Sequence, residues 1–65
     1  MTRWYVNGMI LEEGKTYTNK SGKTRIIFLL SRDSNTFKIS VSWGKDMYSN
    51  SRVCSAEAFV RWLKA

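Results

Sequence analysis

The chain has 65 residues, 43% of them hydrophobic and 14% aromatic, with eleven Lys and Arg against five Asp and Glu for a formal charge of +6. At this length a chain buries only about 60% of the surface it exposes when unfolded, which supports one modest core and a single domain over residues 1–65. With no histidine and one cysteine, the usual proton shuttle and metal ligand is missing and neither a disulfide framework nor a zinc site can form, so no cofactor is expected.

In chain order, Trp4 to Ile10 reads as a strand interrupted at Asn7-Gly8, a turn or bulge signal. Lys15 to Asn19 and the stretch from Lys23 onward flank Lys20-Ser21-Gly22, a three-residue hairpin loop with glycine where a positive φ is commonly required. Thr24 to Leu30 is rich in β-branched and aromatic residues, and Arg32-Asp33-Ser34-Asn35 carries the chemistry of a turn between strands. Phe37, Ile39, Val41 and Trp43 then alternate with Lys38, Ser40 and Ser42, the period of a strand with one buried face. If Leu30 lies opposite Phe37, Phe28 meets Ile39 and Ile26 meets Val41, and these residues with Trp43 form the expected core face.

Met47 to Ser51 reads as a polar loop and Asn50 to Cys54 as a short strand. Ser55 offers a helix N-cap with Glu57 in the first turn, which predicts a helix over about 55–64. Its Phe59, Val60 and Leu63 share one side, with Trp62 at the border. Together the elements predict a mainly β fold with one C-terminal α-helix, either a small SH3-like barrel or a strongly bent antiparallel sheet. No apolar stretch approaches the ~20 residues that cross a bilayer, so no membrane association is expected. The lone thiol and the lack of a charged-then-apolar leader point to a reducing, cytoplasmic setting.

The order Gly14-Lys15-Thr16-Tyr17, Asn19, Gly22, Arg25-Ile26-Ile27, Trp43, Cys54 and Phe59-x-x-Trp62 resembles small uncharacterised proteins encoded by bacteriophages and prophages. In those proteins a Gly-x-x-Tyr hairpin leads to a closing Cys…Phe-x-x-Trp helix. The resemblance spans residues 14–64. It implies a setting in which small phage proteins often serve as inhibitors or decoys against host defences, and it transfers no catalytic residue.

On the register above, Tyr17, Arg25, Ile27, Leu29, Lys38, Ser40 and Ser42 point away from the core, because Tyr17 falls opposite Arg25. That mixture suits base stacking combined with phosphate contacts. Equally, Ile27 and Leu29 fit a second buried layer or a dimer face. Lys15, Lys20, Lys23 and Arg25 form a positive run that either tracks phosphates or protects a hairpin edge. Lys45 to Arg52, with Tyr48 between, has the composition of a recognition loop as well as that of an ordinary surface loop. Trp4, Tyr5, Trp43 and Trp62 are expected as core or border rings, since a small core needs their area.

Cys54 has Arg52 nearby and a helix beginning after it, yet no histidine is present to serve as its general base, so it reads as structural. Glu12-Glu13 diverge in a strand and do not form a catalytic carboxylate pair. The sequence therefore points to a non-enzymatic binding module, with Tyr17, Lys23, Arg25, Lys38, Tyr48 and Arg52 as the candidate ligand-binding residues. The expected partner is a phosphate-bearing ligand, either nucleic acid or a nucleotide held between protomers of a small homo-oligomer. The alternative is an inhibitor that engages a host defence protein directly.

Overall fold

Asn7 and Gly8 both adopt left-handed backbone, at φ 47° and 84°, as the central residues of a two-residue hairpin turn must. They join β1 (Arg3–Val6) to β2 (Met9–Glu12) as an antiparallel pair with Trp4 opposite Leu11. The structure, a computed structural model, describes residues 2–65. After this hairpin come β3 (Thr16–Thr18), β4 (Thr24–Arg32), β5 (Ile39–Gly44), β6 (Arg52–Ser55) and α1 (Ala56–Lys64). The strands β3 to β6 form one antiparallel sheet in sequence order, and β1–β2 forms a second, two-stranded one. The fold is thus mainly β with one C-terminal helix, and the strands make two sheets rather than a closed barrel.

The expected hairpins form, with Gly22 at φ 83° in the β3–β4 loop. Asn19, itself buried, organises that loop: its Oδ1 accepts from the N–H groups of Ser21 and Lys23, each at 3.0 Å. Such side-chain mimicry of a turn is a common role of asparagine.

The β4–β5 register differs from the expected one in two places. First, Asp33 builds a longer turn. Its Oδ1 accepts from Asn35 N–H at 2.7 Å and Thr36 N–H at 3.2 Å, and its carbonyl accepts from Phe37 N–H at 2.8 Å. Phe37 then sits at φ 59° with 69% of its surface exposed, so it belongs to the turn and not to the core. Leu30 consequently pairs with Val41 and Arg32 with Ile39.

Second, Ile27 pairs with Trp43 but Leu29 with Ser42, which leaves Phe28 as an extra residue in a β-bulge. One inserted residue exchanges the two faces of every position on one side of it. Ile27 therefore turns inward and is fully buried, while Ile26 and Phe28 are only half-buried. Tyr17 and Arg25, expected on the outer face, come to the inner one for the same reason. Phe28's ring instead lies over Gly44, where an added Cβ would fall 2.7 Å from it.

The core is the inner face of the four-stranded sheet covered by α1 and the first hairpin. Leu11 comes from β2, Tyr17 from β3, Ile27 and Leu30 from β4, Val41 from β5, and Ala56, Phe59 and Val60 from the helix. Ser55 caps α1 by accepting from Ala58 N–H at 3.1 Å, with Glu57 in the first turn and Arg61 and Lys64 in the last. This arrangement satisfies one orphan donor and complements the helix dipole at both ends. At the far end Lys64 Nζ donates to the Asn7 carbonyl at 3.2 Å, tying the helix to the first hairpin's turn.

Candidate functional site

Beyond the bulge, the inner face of the sheet carries charge next to its apolar residues. Arg25 stands there opposite Tyr17, and Trp43, the partner of Ile27 two residues further along β4, faces Arg52 across β5–β6. The Arg25 guanidinium lies 3.7 Å from the Trp43 ring centroid and 4.2 Å from that of Trp62, so it is held between two indoles. Cation–π contact of this kind contributes about 0.5–2 kcal/mol per ring and restricts the side chain to one position. Trp62 is itself set by Phe59, its neighbour one turn back on the helix, at 5.4 Å between centroids.

Around this stack opens a cleft of about 730 Å³. The β3–β4 hairpin supplies Gly22, Lys23 and Thr24, the β5–β6 loop supplies Lys45, Ser49 and Asn50, and Arg52 and Trp62 complete the wall. Its volume lies within the range of small-ligand sites. Four cations line it, Lys23, Arg25, Lys45 and Arg52, and no Asp or Glu does. Asp46 is in the neighbouring loop but is used there, accepting from Tyr48 N–H at 2.8 Å through its carboxylate and from the Ser49 hydroxyl at 3.1 Å through its carbonyl. Among the described residues the one ion pair is Arg3 with Glu12 at 3.8 Å, so none of the four cleft cations has a carboxylate partner.

Two groups at this site depart from their ordinary titration, both chiefly through burial. Burial pushes the Arg25 guanidinium below its ordinary pKa, and the charge of Arg52 pushes the same way against the opposing effect of Cys54. Burial pushes the Cys54 thiol above its ordinary value, although the Trp43 indole and Arg25 pull it back. Trp43 Nε1 is itself buried with no hydrogen-bond partner among the described residues.

Of the candidate residues read from the sequence, Lys23, Arg25 and Arg52 are brought together in this cleft. Tyr17 is not available to a ligand: it is buried, its hydroxyl accepts from Glu12 N–H at 2.9 Å and donates to the Ile10 carbonyl at 3.0 Å, and its ring meets Phe59 edge-on. Lys38 lies in the β4–β5 turn at the other end of β4, and Tyr48 projects from the loop tip with 93% exposure, outside the lining.

Trp43 and Trp62, which the sequence presents as core or border rings, jointly hold Arg25, a role no local pattern marks. The spacing Phe59-x-x-Trp62 was the available signal, but its pairing with Trp43 depends on where the helix lands. Lys45, Ser49 and Asn50 belong to the segment with recognition-loop composition. Compared with protein families, curated proteins and solved structures, the chain matches none.

Proposed function

We propose that this chain is a non-enzymatic binding module that captures a phosphate-bearing ligand, nucleic acid or nucleotide, in the cleft at the Gly22–Arg25 end of its sheet. The observation that carries this reading is the meeting of Lys23, Arg25, Lys45 and Arg52 with no acidic residue in the same wall. Unpaired cations held close together repel one another and gain most from an anion that answers several of them at once. The side chains of Ser49 and Asn50 add polar groups at the rim. A binding role in preference to catalysis is supported by the chemistry of Cys54, whose thiol is held above its ordinary pKa, away from the thiolate a nucleophile needs.

The resemblance of residues 14–64 to phage proteins supports a phage-encoded origin, and the lone thiol supports action in the cytoplasm. No described helix is long and apolar enough to cross a membrane. An SH3-like arrangement belongs to the same proposal, with the β1–β2 hairpin taking the place of the strands that close such a barrel. Self-association is supported by Leu29 and Val53, which are exposed on either side of Ser42 on the outer face, whereas Ile27, expected beside Leu29, is buried.

The test is direct titration with single- and double-stranded nucleic acids and with linear and cyclic nucleotides. Binding by at least one of these classes, lost when Lys23 and Arg25 are reversed in charge, is the expected outcome. No binding to any of them, alongside a stable complex with a host defence protein, would replace this reading with direct protein inhibition.

A further inference from the structure

Resting on that reading, we infer that the cleft recognises the phosphates of its ligand and not the base, with Arg25 and Arg52 engaging two adjacent phosphates of a diphosphate group. The position of Arg25 is the first reason. A base that stacked on the faces Trp43 and Trp62 turn toward Arg25 would need the ring surface that the guanidinium already covers at 3.7 and 4.2 Å. The usual sequence-tolerant platform for bases is thus already filled by an arginine.

The second reason lies in what stacking leaves open. Cation–π contact uses up no hydrogen-bond acceptor, and among the described residues the N–H groups of Arg25 donate to no protein acceptor. Five donors in a rigid plane match phosphate oxygens two at a time, which an ammonium cannot do. Arg52 stands across from Trp43 on the neighbouring strand, close enough for its charge to act on Arg25.

Charge count is the third. The four lining cations exceed the charge of about −1.5 to −2 on one phosphate monoester. Two linked phosphates come nearer to neutralising the wall. The cleft of about 730 Å³ accommodates a group of that size together with a nucleoside that projects toward the open side.

The experiment uses the whole chain at fixed ionic strength, with calorimetry and tryptophan fluorescence as readouts. The probes are pyrophosphate, orthophosphate, ADP, GDP, CDP, UDP, adenosine and single-stranded oligonucleotides. Expected are affinities for the four nucleoside diphosphates within about threefold of one another, with pyrophosphate binding, orthophosphate at least about tenfold weaker and adenosine not binding. R25K keeps the charge but loses the fork and the stack, and it should weaken all four diphosphates alike by about tenfold or more while far-UV circular dichroism stays that of the parent. R52K provides the same comparison if R25K does not fold.

Affinities that spread more than about tenfold with the base, binding of adenosine, or an R25K protein indistinguishable from the parent would overturn the inference. Oligonucleotide binding without pyrophosphate or diphosphate binding would overturn it too, while leaving the proposed function standing. If no phosphate-bearing probe binds at all, both readings fall.

Discussion

Tyr17 shows how one hydroxyl can settle whether a residue serves packing or recognition. Its oxygen accepts from Glu12 N–H and donates to the Ile10 carbonyl, so β2 and β3 are joined through a side chain where no ladder connects them. Tyr17→Phe leaves both backbone groups without this partner and should cost about 1–3 kcal/mol in urea unfolding, with affinity for phosphate ligands unchanged. Burial also raises the pKa of Tyr17 above its ordinary 10.0, with the Glu12 hydrogen bond opposing, and raises that of Cys54 above 9.0. Both groups hold their protons more tightly folded than unfolded, so their contribution is complete below pH 9. It is lost as pH rises, from 9 upward through the raised Cys54 value and from 10 upward through that of Tyr17. Urea midpoints measured from pH 7 to 11 should therefore stay level on this account and then fall, and Cys54→Ser should remove the earlier part of the fall.

At the scale of elements, the bulge at Phe28 decides which face of β4 is buried, and Glu13 is the residue that stabilises it. Its Oε2 accepts from Leu30 N–H at 2.8 Å and its Oε1 from Thr2 N–H at 3.4 Å, which ties the bulged strand to the first hairpin. A carboxylate that accepts backbone N–H groups forms the stronger, charge-assisted kind of hydrogen bond. Glu13→Ala should cost about 1–3 kcal/mol in thermal or urea unfolding, and amide exchange at Leu30 should accelerate more than at Val41 on the neighbouring strand. In the sequence the acid pair Glu12-Glu13 was legible only as two diverging carboxylates. The partner of Glu13 lies 17 residues away, across a contact that no local pattern encodes.

For the molecule as a whole, the charge of +6 is unevenly placed, with four cations in one cleft measuring about 730 Å³. Binding of a nucleic acid there should weaken steeply with salt, because each phosphate neutralised releases counterions. A nucleotide enclosed by the same wall should be less sensitive, since partly buried charges are screened less. Lys23→Glu combined with Arg25→Glu should weaken either ligand by more than about tenfold, or about 1.4 kcal/mol, in calorimetric titration. Any phosphate ligand that binds should also raise the unfolding midpoint, by an amount that grows with its concentration.

The hairpin at Gly22, the capped helix after Ser55 and the strand through Val41 were all legible in the sequence. Each rests on local physics: a glycine free to adopt positive φ, a hydroxyl placed to cap a helix, and a period of two. The positive charge and aromatic content were equally plain. The inward turn of Arg25 and Ile27 was not legible, because it follows from one unpaired residue, Phe28, between two otherwise regular ladders. The Trp43–Arg25–Trp62 stack was hidden for a related reason. It joins β4, β5 and the C-terminal helix, and three segments far apart in the chain are brought to one point by packing alone.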